Sequence, residues 1–130
     1  MPLVRIDLLE GKTSHHRAEL TEIVHQAMVD CLNVPKDDRF QVITEHANNS
    51  LQFDRNYLGI HRSDDCIFVQ ITLNSGRSTE MKQHFYKAVA DGLHEQLKLR
   101  REDVLITLLE AAKENWSFGN GEAQYGTPAS

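Results

Sequence analysis

The sequence is poor in cysteine, in long hydrophobic runs and in clustered basic residues, and each shortage excludes something. Its 130 residues hold only two cysteines, Cys31 and Cys66. Their spacing fits no disulfide framework, so buried free thiols in a reducing compartment are expected. No apolar run reaches the ~18 residues of a membrane-crossing helix, and no membrane partner is expected. The opening residues, Met1 to Gly11, lack a basic stretch followed by an apolar segment and a small-residue cleavage site. No secretion leader is therefore expected, and the cytoplasm is the expected location. Lys and Arg total 14 against 19 Asp and Glu, a net charge of −5. A nucleic-acid binder usually carries a basic face, so nucleic acid is not an expected partner. His15, His16, His25, His46, His61, His84 and His94 show no ligand spacing, so no metal is expected. Phosphate-cradling glycine loops and serine nucleophile elbows are also missing, and no cofactor is expected.

What is present is ordinary globular composition, with 40% hydrophobic and 25% charged residues. A chain of this size buries a core as one domain without staples. Its organising feature is an internal repeat. A shift of 65 positions lays Leu3-Val4-Arg5-Ile6-Asp7-Leu8 on Phe68-Val69-Gln70-Ile71-Thr72-Leu73. Without a gap, the same shift lays Gly11-Lys12-Thr13 on Gly76-Arg77-Ser78, Leu32 on Leu97, Asp38 on Asp103 and Glu45 on Glu110. The chain therefore reads as a duplicated unit.

Each unit has the pattern strand, helix, strand. Residues 3–9 alternate as a half-buried strand does. Gly11 turns the chain, and Thr13 or Ser14 caps a helix. Its apolar face is Leu20, Ile23, Val24, Ala27, Met28, Cys31 and Leu32, and Phe40 to Ile43 form the returning strand. In the second unit, residues 66–73 form a strand and Ser78 or Thr79 caps the helix. Phe85, Ala88, Val89, Leu93 and Leu97 make its stripe, and Asp103 to Leu108 close the unit. The predicted fold class is α+β: two β-α-β repeats (2–46 and 66–110) giving a four-stranded sheet with both helices on one face. A C-terminal arm (111–130) follows, read as a turn-rich hairpin or arm. Since bare apolar sheet surface is rarely left in water, the open face predicts an oligomer.

The stretches Met1-Pro-Leu-Val-Arg-Ile-Asp-Leu8, Val34-Pro-Lys-Asp-Asp38-Arg39-Phe40-Gln41, Gly76-Arg77-Ser78 and Trp116-Ser-Phe118-Gly resemble the tautomerase superfamily. Within it they are most similar to the malonate semialdehyde decarboxylase group. The resemblance covers nearly the whole chain. It implies a homotrimer in which Pro2 is the catalytic amine and Asp38 a hydrogen-bonding or water-orienting carboxylate. It makes Arg77 the binder of the substrate carboxylate, with Trp116, Phe118 and Tyr125 walling the pocket. One departure stands out: some members carry a second arginine two residues before the position of Arg77, and here that residue is Ser75.

The chemistry suits these residues. A chain-terminal amine has a pKa near 8, whereas a lysine lies above 10. Burial favours its neutral form and a nearby carboxylate its cation, so surroundings set the direction of proton transfer. A guanidinium fork bonds both oxygens of a carboxylate. For Pro2 to act so, Met1 has to be removed, because an uncleaved methionine makes the Pro2 nitrogen an amide. Pro2 begins the first strand and Arg77 follows the third. They share one edge only if the central strands run antiparallel, which is the arrangement predicted.

Blander readings stand beside these. Asp38 alternatively caps a loop, Arg77 is alternatively a surface charge poorly placed at a helix start, and the three aromatics are alternatively core or interface. The leading expectation is cofactor-free decarboxylation of malonate semialdehyde or a similar β-oxo acid. The second is keto–enol tautomerisation of a 2-oxo acid such as phenylpyruvate, and the third a non-catalytic trimeric binding protein.

Overall fold

The two repeats fold as near copies because the same local signals recur 65 residues apart. The structure, a computed structural model, describes residues 1–126. Strand β1 (Leu3–Leu9), helix α1 (Ser14–Leu32) and strand β2 (Gln41–His46) form the first repeat. Strand β3 (Ile67–Asn74), helix α2 (Thr79–Leu97) and strand β4 (Val104–Ala111) form the second. Thr13 caps α1 by accepting from the His16 amide at 3.0 Å, and Ser78 caps α2 by accepting from the Met81 amide at 3.2 Å. Gly11 and Gly76 turn the chain before each cap with φ of +119° and +120°, a region that favours glycine. Both helices end on a left-handed residue, Asn33 and Lys98. Backbone geometry thus repeats where the residue types differ.

The sheet order is β2-β1-β3-β4. Within each repeat the strands are parallel, while β1 and β3 pair antiparallel with Leu3 opposite Thr72 and Asp7 opposite Phe68. The predicted antiparallel centre is therefore present, and it joins the repeats into one sheet. Alternation sends Val4, Ile6 and Leu8 of β1 and Val69, Ile71 and Leu73 of β3 to the helix side. There they meet Leu20, Val24 and Met28 of α1 and Phe85, Val89 and Leu93 of α2 in one core. Cys31 is only partly buried and Cys66 fully, and both are free. Burial beside Asp103 pushes the Cys66 thiol up to about 11, which leaves it an unreactive thiol.

The other face of the sheet is covered only in part among the described residues. Leu3, Phe40, Val42, Leu105 and Leu109 each keep 38–50% of their surface exposed. Beyond β4 the arm contains a short 3-10 turn, Lys113–Asn115, and further turns, but no strand among the described residues. The hairpin half of that expectation is not met, and residues 127–130 lie outside the described part. Among the described residues no helix is long and apolar enough to cross a membrane.

Candidate active site

The topology brings the start of β1, the start of β2, the end of β3 and the end of β4 to one edge of the sheet. Continuing the β1–β3 register sets Pro2 beside Leu73 and Met1 beside Asn74. The Val4 amide donates to the Phe40 carbonyl at 2.9 Å, which holds the segment carrying Asp38 against the first residues of the chain. Since β4 runs parallel to β3 with Ala111 opposite Asn74, the arm leaves from this edge too. It folds back so that Trp116, Ser117 and Phe118, with Met1, Pro2, Leu3 and Phe40, line a cleft of about 210 Å³.

Asp38 stands beside the chain terminus, its Oδ2 3.8 Å from the Met1 amine. Its Oδ1 is buried with no hydrogen-bond partner among the described residues. Burial raises the Asp38 carboxyl above its ordinary value, against the opposing pull of the Met1 amine, His25 and Arg77. The Met1 amine is lowered, chiefly by burial and further by Arg77 and Lys113, while Asp38 works the other way. An amine at this position thus feels both influences that decide between base and acid.

Arg77 is tied down rather than dangling. Its Nε donates to the Leu32 carbonyl at 2.7 Å and its Nη1 to the Asn74 carbonyl at 3.0 Å. Although it follows a glycine turn at the start of α2, its guanidinium reaches the C-terminal end of α1, where the helix dipole favours a cation. The surface-charge reading fails for that reason. Burial lowers its pKa, countered by Tyr125, Glu110 and Asp38. An arginine stays charged throughout, and its Nη2 has no partner among the described residues.

The aromatics form a wall. Trp116 stacks on Phe118 at 5.6 Å between centroids, and Phe118 meets Tyr125 edge-on at 5.4 Å. Tyr125 is held by the Asn74 amide, whose Nδ2 donates to its hydroxyl at 2.7 Å. The Asn74 Oδ1 and Trp116 Nε1 are buried and unpartnered among the described residues, as Asp38 Oδ1 is. These polar atoms, with the His25 Nδ1, are the groups here that could pair with a polar ligand.

Of the six sequence-predicted residues, Pro2, Trp116 and Phe118 line the cleft, while Asp38, Arg77 and Tyr125 flank it at the same edge through Met1, Asn74 and Phe118. Three others escaped notice: Asn74, Lys113 and His25. Lys113 places its Nζ 5.6 Å from the centre of the Tyr125 ring. The buried His25 ring bonds the Lys36 carbonyl at 2.8 Å and faces Asp38 electrostatically. A signal for the first two lay in the repeat, which sets Asn74 against Leu9 and Lys113 against Asn48. Among the described residues no group of three His, Cys, Asp or Glu comes together as a metal site.

Comparisons with known proteins agree with the fold. A family described as tautomerase enzyme matches residues 38–119, and a second of the same description matches residues 2–59. The probable tautomerase YusQ of Bacillus subtilis (strain 168) is 40% identical over 95% of this chain and 98% of that protein. A crystal structure of malonate semialdehyde decarboxylase, described as a basis for decarboxylase and hydratase activities, has a TM-score of 0.89. It shares 32% identity over 95% of each chain. A fused 4-OT described as a symmetric trimer, at 20% identity and TM-score 0.76 over 92% of this chain and 94% of that one, shares the fold. The fold of two β-α-β repeats is thus that of a known enzyme group, and the chain belongs to the tautomerase family.

Proposed function

We propose that this chain is a cofactor-independent enzyme that decarboxylates a small β-oxo acid such as malonate semialdehyde, with the amine of Pro2 as acid–base catalyst. The observation that carries the reading is the unpartnered, buried carboxylate oxygen of Asp38 beside the chain terminus, on the same edge as Arg77. The match to malonate semialdehyde decarboxylase over 95% of the chain supports this substrate class.

With Met1 attached, the Pro2 nitrogen is a tertiary amide, neither acid nor base, and Met1 fills part of the cleft. Removal of Met1 turns that nitrogen into a secondary amine and frees the space for substrate. Arg77 binds the substrate carboxylate with the donor it has to spare. Asp38 favours the cationic amine, which donates a hydrogen bond to the aldehyde oxygen. The bond between the α-carbon and the carboxylate breaks, and its electron pair passes into the enolate as carbon dioxide leaves. The enolate takes the Pro2 proton at carbon to give acetaldehyde, and solvent restores the proton to Pro2.

A second reading, keto–enol tautomerisation of a 2-oxo acid such as phenylpyruvate with Pro2 as neutral base, is favoured by one feature. Burial is the largest influence on the amine at this edge, and it lowers the pKa. The 40% identical relative is called a probable tautomerase. Incubating the Pro2-started protein with malonate semialdehyde and following acetaldehyde by NMR separates the readings. Acetaldehyde supports the first, and phenylpyruvate ketonisation alone supports the second. Turnover of neither supports the non-catalytic binding protein. The assembly we propose is a homotrimer, in which the exposed apolar residues that line neither cavity, Val42 of β2 and Leu109 of β4, are covered between subunits.

A further inference from the structure

A second cavity stands where the repeat places a copy of the first. The shift of 65 that relates the two halves carries Leu3 and Phe40, which line the active-site cleft, onto Phe68 and Leu105. It also lays Ser117 and Phe118 of the arm on Gln52 and Phe53 of the segment between the repeats. All four counterparts line one cavity of about 270 Å³, together with Asp54, Tyr57 and Arg62. The segment 51–62 therefore closes over β3 and β4 much as the arm closes over β1 and β2.

What the second cavity lacks is proton chemistry. Its counterpart of Pro2 is Ile67, whose nitrogen is an ordinary backbone amide. Its counterpart of Asp38 is Asp103, which is fully buried and accepts from the Ser63 amide at 2.7 Å and the Ser63 hydroxyl at 2.6 Å. No spare carboxylate oxygen points at a ligand there. Lys12, the counterpart of Arg77, is drawn away to Asp65 at 2.7 Å.

What it keeps is an apolar wall and a cation. Phe53 and Phe68 meet edge-on at 6.4 Å, and Arg55 lies 4.8 Å from the Phe53 ring centre while pairing with Asp64. Arg62 spends one nitrogen, Nη1, on the carbonyls of Asp54, Tyr57 and Ile60 at 3.1–3.3 Å. Three carbonyls on one nitrogen fix the guanidinium, and its Nε and Nη2 have no partner among the described residues. The one acid in the lining, Asp54, accepts from the Asn56 amide at 2.8 Å.

We propose that this cavity is a second, non-catalytic binding site for small aromatic monocarboxylates, with the ring against Phe53, Phe68 and Tyr57 and the carboxylate on Arg62. The choice of a carboxylate rests on the reading of the first site as one for oxo acids. The cavity itself rests on the repeat.

The test is titration of the Met1-processed protein, in its native assembly, with phenylacetate, read by calorimetric stoichiometry and by NMR shifts. Two phenylacetates per chain are expected. Arg77→Ala removes one and leaves the other, whose shifts map to Phe53, Tyr57 and Phe68. Arg62→Ala removes that second one. Tyr57→Ala, at an exposed position where folding is not at risk, weakens it about tenfold and leaves turnover unchanged. Binding at Phe53 and Phe68 that survives when Arg77→Ala changes nothing supports this site while refuting the reading of the first. A single phenylacetate per chain, lost with Arg77→Ala, overturns the proposal. So do unshifted signals at Phe53 and Phe68, the result expected if another subunit fills the cavity.

Discussion

Asp38 and Asp103 occupy the same position of the two repeats, yet only Asp103 has both carboxylate oxygens satisfied, each by Ser63. Asp38 leaves Oδ1 buried and unpartnered. The same residue type thus serves the fold in one repeat and stands available for chemistry in the other. Asp103→Ala is expected to cost about 2–3 kcal/mol of stability, because it removes charge-assisted hydrogen bonds and strands the Ser63 amide. Asp38→Asn is expected to leave the melting temperature undiminished while turnover falls by roughly 10²-fold or more. Thermal melts and steady-state rates on both variants check this.

The pH dependence of stability follows from the raised pKa of Asp38. Burial makes the folded protein hold that proton more tightly than the unfolded chain, whose carboxyl keeps its ordinary value of 3.8. Between 3.8 and the higher folded value, the folded state carries the extra proton, so this group's contribution to stability grows as pH falls. Above that window the ionised carboxylate is a constant burden. Melting temperatures of the wild type and Asp38→Asn, measured across pH, should therefore differ most near neutrality and converge in acid.

Arg77 is expected to act on substrate binding through its planar fork. Arg77→Lys keeps the charge but loses both the fork and the anchor on the Leu32 carbonyl. A fall in kcat/KM of about 10–100-fold is expected, the equivalent of one or two charge-assisted hydrogen bonds. Equal kinetics for Arg77→Lys and wild type would return Arg77 to a structural role.

Much of the fold was legible in sequence because the repeat carries it, whereas the candidate site residues were named through the family resemblance. Thr13, Ser78, Gly11 and Gly76 announce the turns and caps locally, and the alternation of β1 and β3 sets the buried face. The anchoring of Arg77 on the far end of α1 was not legible, since it joins residues 45 apart through tertiary packing alone. Asn74 was hidden for a similar reason: its role depends on Tyr125, which reaches it only by the fold of the arm. The tail, rich in glycine and aromatics, reads as a turn-rich hairpin or arm. Among the described residues it makes local turns, with Gln124 donating to the Gly119 carbonyl and accepting from the Phe118 amide.

Helix packing offers a further test. A Cβ on Gly92 would lie 2.9 Å from Cγ2 of Ile23, so α1 and α2 touch through this glycine. Gly92→Ala is expected to lose about 1–2 kcal/mol, with overpacking exceeding the gain in helix propensity. In an Ile23→Ala background, where Cγ2 is gone, the same substitution should become stabilising. Chemical denaturation of the double-mutant cycle reads the change of sign.

The central claim is that a basic ring nitrogen at Pro2 does the catalysis. Its most direct test compares protein beginning at Pro2 with protein carrying one alanine ahead of it, the N-termini verified by mass spectrometry. Both are given malonate semialdehyde and, separately, phenylpyruvate. The account predicts turnover by the first form and its loss in the extended form, whose Pro2 nitrogen is an amide. Equal turnover by the two forms would contradict it.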